Sequence, residues 1–205
     1  PTGTRRMADL WGEIRRRATA SPAPRIGLGL AVLIIVLDQI SKWLVLNVLH
    51  FSPPGCLEFQ RASGVERIAL PNTCGHIELS PVFDLTMVWN KGVSFGLFGA
   101  DGPLGRFILV AFSIAVACLL IAGLLGYGPV KAVRRLQAVA FGFIIGGAIG
   151  NAVDRTLYGA VVDFLNFSDV YFPYVFNIAD VGINLGVAAV ILDVLLNDRK
   201  DRAVR

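Results

Sequence analysis

Histidine is nearly missing from this chain: His50 and His76 are the only imidazoles in 205 residues. Neither belongs to a cluster with ligand spacing, and Cys56, Cys74 and Cys118 form no CxxC or Cys/His pattern. A zinc site draws three or four such ligands from short spacings, so no metal and no other cofactor is expected. Charge is scarce as well, at 17% of residues where a soluble domain carries about 25%. No internal repeat or linker divides the sequence, which predicts one unit over 1–205.

Apolar length takes the place of charge. Hydrophobic residues make up 55% of the chain and are bunched in Ile26–Leu49, Leu104–Gly126, Leu136–Val153 and Phe176–Leu196. About 20 helical residues cross roughly 30 Å of hydrocarbon, so each segment predicts a membrane-spanning helix. Most of the 19 Lys and Arg fall in three groups outside these spans. Arg5, Arg6, Arg15, Arg16, Arg17 and Arg25 precede the first span; Lys131, Arg134 and Arg135 separate the second from the third. Arg199, Lys200, Arg202 and Arg205 follow the fourth. An even number of spans puts all three groups on one side, which the positive-inside rule makes the cytoplasm. Both termini are then cytoplasmic, and segments 50–103 and about 154–175 face the other side. The net charge of +4 reflects this topology. The arginines flank spans with no aromatic-basic surface module, so no nucleic-acid partner is expected.

The first span runs into Asp38 and Lys42 without a small-x-small cleavage site, and is expected to stay as an anchor. The residues before Met7 are set aside. "MADLWGEIRRRA" predicts a basic amphipathic segment on the cytoplasmic membrane surface. In the outer segment, Leu85, Met87 and Trp89 alternate with Thr86 and Val88, and "NKG" follows. This predicts a strand, a tight turn and a second short strand carrying Val93, Phe95 and Leu97. The expected fold is thus an all-α integral membrane protein: four transmembrane helices, a small extracytoplasmic β-sheet and an N-terminal amphipathic segment. Cys56 and Cys74 lie on the oxidising side, where a disulfide and two free thiols are both open. Cys118 reads as a small core residue.

Polar residues within apolar runs are the candidates for function, since an unpaired charge is costly there. Gly142, Gly146 and Gly150, and then Gly182 and Gly186, recur every four residues. Such spacing predicts close approach of the third and fourth helices and of their outer ends. Asn151 and Arg155 share a helix face, and Asp154 is expected to be satisfied by the adjoining Arg155. Asp38 and Lys42, four apart, suggest a self-contained ion pair. Asp163 and Asp180 have no cationic neighbour in sequence, and the alternation of spans puts both near the outer surface. Two carboxylates brought close cannot easily both ionise, so a protonated and an ionised acid coexist. Such a pair can activate water and bind a carbonyl oxygen, hydrolysing an amide without a metal. A proton-coupled transporter would spread acids through the full membrane depth, whereas here they cluster at the outer ends, with Asp193 near the cytoplasmic boundary beside Arg199 as the exception. An assembly factor built on the glycine faces would leave the two aspartates unexplained. Neither "VVDF" nor "NIAD" contains the Gly-x-Gly-Asp motif of another class of intramembrane protease.

"LDQISKW", "WNKGVSFGLF", "GGAIGNAVDRTLYGAVVDF" and "FNIADVGINLG" follow one another in the order of four signatures. Through them the chain resembles the lipoprotein signal peptidase (signal peptidase II) family over most of Leu37–Gly186. The resemblance implies a four-helix aspartyl endopeptidase of the bacterial inner membrane. Such an enzyme removes signal peptides from prolipoproteins by cutting before a diacylglyceryl-modified cysteine. It makes Asp163 and Asp180 the catalytic pair, with Asn151, Arg155, Asn177, Asp38, Lys42 and Asn90 as supporting polar residues. It also implies membrane lipids and globomycin-type peptide antibiotics as partners. Two departures stand out: the loop from about Phe51 to Gly75 is long for the family, and Lys91 stands where a small or neutral residue is expected.

Overall fold

The computed structural model describes residues 2–57, 74–92, 103–127, 133–170 and 172–203. Helix α1 (Thr2–Ala20) leads into α2 (Pro22–Trp43), which is extended by a π-helical turn over Leu44–Val48. Pro22 opens α2 at a position where a missing N–H costs nothing. Strands β1 (His76–Ser80) and β2 (Phe83–Asn90) follow, then α3 (Pro103–Leu124) and α4 (Arg135–Tyr158). After α4 come β3 (Val161–Phe167), β4 (Phe172–Phe176) and α5 (Ile178–Ala203). Helices α2, α3, α4 and α5 are each long and apolar enough to cross a membrane. The chain is therefore a multi-pass membrane protein. Over its most apolar stretch α4 is 56% buried and α3 11%, which makes α4 the central helix and leaves α3 at the rim.

The third and fourth spans approach closely as expected, but the glycines also serve α2: Gly142 and Gly146 of α4 face α2, and Gly150 lies between Asp38 of α2 and Ala179 of α5. A Cβ on Gly146 would stand 2.8 Å from the Ala31 carbonyl oxygen, and one on Gly150 would stand 2.6 Å from Asp38 Oδ2. Gly150 thus admits a carboxylate against the helix backbone. The contact between α4 and α5 uses Gly147 with Gly182 and Gly186. At the Arg134 end, Arg134 ion-pairs with the buried Asp193, so the partner of Asp193 comes from another helix.

Among the described residues, four antiparallel strands form one sheet in the order β1-β2-β3-β4, where the sequence led us to expect two. "All-α" therefore describes the spans alone. The expected second strand at Val93–Leu97 lies outside the described residues. Strict alternation in β2 is broken by a bulge: Leu85 pairs with Leu165, but three residues later Val88 faces Asp163. Strand β3 begins because Gly159 ends α4 in the left-handed region, at φ 80°, and turns the chain away from the helix axis. The apolar face of the sheet packs Met87, Trp89, Val162 and Phe164 onto Val45 and Phe51 at the end of α2. A Cys56–Cys74 disulfide, with Cα atoms 5.3 Å apart, belongs to the same cluster and answers the question that the sequence left open. Cys118 is exposed on α3 rather than buried in a core.

Candidate active site

Asp163 is on strand β3, not at a helix end. Its position opposite Val88 places Asn90, two residues further along β2, on the same face of the sheet. Asn90 Nδ2 donates to Asp163 Oδ2 at 3.0 Å, and Asn177 Nδ2 donates to Oδ1 at 2.6 Å. Asp163 is 1% exposed. Burial, followed by the nearby Asp180 carboxylate, pushes its carboxyl well above the usual carboxylate range.

Asp180 stands in the first turn of α5, and Asn177 precedes that helix. The two cap each other: the Asp180 N–H donates to Asn177 Oδ1 at 2.9 Å, and the Asn177 N–H donates to Asp180 Oδ2 at 3.3 Å. Because Asn177 Oδ1 is held by a backbone N–H, its amide nitrogen must point the other way, towards Asp163. Asn177 therefore joins both aspartates, and it is fully buried. Asn151 Nδ2 donates to Asp180 Oδ1 at 2.8 Å. Asn151 Oδ1 accepts from Lys42 Nζ at 3.3 Å and from Asn177 Nδ2 at 3.2 Å. An ammonium can only donate, so Lys42 fixes which end of the Asn151 amide meets Asp180. Asn90 is fixed in the same way, since its Oδ1 accepts the Gly92 N–H at 3.1 Å.

Two sequence expectations need correction. Asp38 and Lys42 are not self-contained: Lys42 Nζ lies 2.8 Å from Asp38 Oδ2 and 2.7 Å from Asp154 Oδ2. Asp154 is accordingly satisfied by Lys42 of α2, because neighbours on one helix point to different sides. Arg155 is left to face the aspartates. Asp163, Asp180 and Asp154 all act on it electrostatically, and its Nε is buried with no hydrogen-bond partner among the described residues. All eight sequence-predicted site residues thus fall in one connected or mutually facing group. Gln39 was missed: its Nε2 donates to Asp154 Oδ1 at 3.0 Å. Recording every polar residue within an apolar span would have found it.

Residues 30–196 match the family model described as Signal peptidase (SPase) II. The lipoprotein signal peptidase of Caulobacter vibrioides is 44% identical over 174 residues, which cover 84% of this chain and 88% of that protein. That of Rhodopseudomonas palustris is 38% identical, over 84% of this chain and 93% of its own. The chain belongs to the signal peptidase II family. Members of this family are membrane proteases that process the signal peptides of prolipoproteins. A solved structure described as a bacterial membrane enzyme has the same fold, with a TM-score of 0.62 at 22% identity. It is covered over 84% of this chain and 88% of its own length.

Proposed function

We propose that this chain is, as a single membrane-embedded unit, an aspartyl endopeptidase that cuts prolipoproteins just before a diacylglyceryl-modified cysteine. Asp163 and Asp180 are its catalytic pair. The observation that carries this is Asn177, one buried residue whose side-chain amide donates to the Asp163 carboxylate and whose backbone N–H donates to the Asp180 carboxylate, so that the two are held in a fixed relation. Asp163, buried in the sheet, keeps its proton. Asp180 is half-buried at a helix N-terminus, where negative charge is favoured, and acts as the base. Water attacks the scissile carbonyl carbon and gives a proton to Asp180, while Asp163 passes its own to the carbonyl oxygen. Collapse of the tetrahedral diol returns a proton to Asp163. The proton on Asp180 goes to the leaving amine, and both acids are restored. Cleavage of a diacylglyceryl-modified prolipoprotein in detergent or lipid tests the proposal, and failure to cut any such substrate overturns it.

Arg155 and Asn151 position the substrate and carry no proton. A guanidinium does not act as a base near neutral pH, but its planar donors suit peptide or lipid-ester carbonyls. Arg155→Lys keeps the charge and loses the fork. It is expected to slow cleavage about 10- to 100-fold at unchanged membrane insertion, the worth of one charge-assisted hydrogen bond. Near-normal turnover would mean that Arg155 only reaches towards headgroups.

The pair works at the extracytoplasmic face of the inner membrane, with both termini cytoplasmic. Cys56 and Cys74 are too buried to report this, so the label belongs on the exposed Ser80 and Thr19. Ser80→Cys should react with a membrane-impermeant maleimide in intact spheroplasts, and Thr19→Cys only after lysis. The reverse pattern would invert the topology.

A further inference from the structure

Beneath the two aspartates lies a second acidic pair, Asp38 and Asp154, held by one cation. The Lys42 ammonium donates to Asp38 and Asn151 and ion-pairs with Asp154. Asp38 and Asp154 are both fully buried. Each carboxylate also holds a backbone amide. Asp38 Oδ1 accepts the Ala179 N–H at 2.9 Å, and Asp154 Oδ2 accepts the Val162 N–H at 3.1 Å. Ala179 is the residue before Asp180, and Val162 is the residue before Asp163. The lower acids therefore grip the chain one step ahead of each upper acid. Gln39 completes the cluster from α2. Its Nε2 donates to Asp154 Oδ1, to Asp38 Oδ2 at 3.2 Å and to the Gly150 carbonyl at 3.3 Å. Its other neighbours, Ile35, Val36, Ile40 and Trp43, line an apolar groove on the same helix.

We propose that Asp154, held by Lys42 and Gln39, is a positioning residue that fixes Asp163 through Val162 and whose charge sets the pH range of catalysis. This rests on the reading of Asp163 and Asp180 as the catalytic pair. The charged groups around that pair come from each element packed on it. Helix α2 gives Asp38 and Lys42, and α4 gives Asp154 and Arg155. Strand β2 presents the neutral Asn90, with Lys91 next along the chain. With two carboxylates on one ammonium, the lower cluster carries one excess negative charge. Lys42 by itself draws the proton away from Asp163, and the second carboxylate offsets that pull and so favours the proton.

Two substitutions change this charge in opposite directions. Asp154→Asn keeps an acceptor for the Val162 N–H; its new NH2 costs the contact with Gln39 Nε2, while Gln39 keeps its bonds to Asp38 and the Gly150 carbonyl. The cluster becomes neutral, Asp163 holds its proton less tightly, and the whole pH–rate profile should move to lower pH. The shift should be on the order of one unit, as for a charge removed at about 10 Å with an effective dielectric of about 20. Gln39→Glu sets a carboxyl against Asp154 and Asp38, where it keeps its proton until the pH rises; as it ionises it adds charge without touching Lys42 and should move the alkaline limb of the profile to higher pH.

The assay is cleavage of a diacylglyceryl-modified prolipoprotein by the full-length protein across pH, with a thermal melt and Asp163→Asn run in parallel. Opposite shifts with activity retained support the proposal. An Asp154→Asn protein that melts normally but is inactive at every pH would make Asp154 a proton-transfer residue and overturn it. An unmoved profile would reduce Asp154 to a structural part. If Asp154→Asn does not fold, Gln39→Glu decides alone, and absence of its upward shift overturns the proposal. Activity surviving in Asp163→Asn would defeat the catalytic-pair reading itself, a separate outcome.

Discussion

Asp163→Asn and Asp180→Asn are each expected to lower cleavage of a diacylglyceryl-modified prolipoprotein by roughly 10³-fold or more, with the helices still inserted. Without Asp180 no base takes the proton from attacking water. Without the acid on Asp163 the developing oxyanion gains no proton. The two act as one unit, so either loss removes nearly the whole effect. The Asp163 variant carries a structural cost too. Both Asp163 oxygens accept amide donors whose orientations are fixed elsewhere, Asn90 by the Gly92 N–H and Asn177 by the Asp180 N–H. An Asn at 163 must set an NH2 against one of them, at about 1–3 kcal/mol. The comparison therefore needs a thermal melt beside the kinetics. A correctly inserted variant with wild-type turnover would sink the assignment. The raised Asp163 carboxyl also gives the wild type a sign in pH: activity should fall on the alkaline side as that proton leaves.

Lys42→Met is expected to destabilise the protein by about 3–5 kcal/mol, the range for breaking a buried ion pair by removing one partner. Lys42 is 2% exposed and is the cation shared by Asp38 and Asp154, which are 0% exposed. Its loss leaves two buried carboxylates facing each other without the ammonium between them. It also frees the Asn151 amide to turn its oxygen towards Asp180. The fall should appear in the melting temperature in detergent and in the yield of inserted protein. Because the fault is unbalanced charge, adding Asp154→Asn to Lys42→Met should recover part of the loss. A Lys42→Met protein that melts like the wild type would remove the cluster from the account of stability.

The four spans were legible because hydrocarbon acts on the chain locally: it asks only for length and apolarity. Leu136–Val153 was expected where α4 runs Arg135–Tyr158, and Phe176–Leu196 where the fourth candidate span runs Ile178–Asn197. Strand β3 was not legible. "VVDFLNF" follows a spanning helix as one more apolar run, and such a run looks alike in a helix and in a strand buried on both faces. Only the sharp turn at Gly159 separates them. Strands β1 and β4 join their neighbours β2 and β3 through short local connections, but the β2–β3 pairing that makes one sheet of them joins residues as distant as Asp84 and Asn166, which no local pattern records.

The same division runs through the site. The sequence by itself determined which polar residues sit in or beside apolar segments. Asp38, Lys42, Asn151, Asp163, Asn177 and Asp180 are such residues, and each must find a partner or serve the chemistry. Desolvation makes that demand, and desolvation depends on composition alone. Partnership depends on three-dimensional placement. Asp154 turned to Lys42 on another helix rather than to Arg155 beside it, because successive helical residues point about 100° apart. Gly150 lets Asp38 reach the start of α5, and the bulge in β2 brings Asn90 to Asp163. Only tertiary structure could decide these, because hydrogen bonds hold over about 3 Å and the residues they join lie up to 141 apart in sequence.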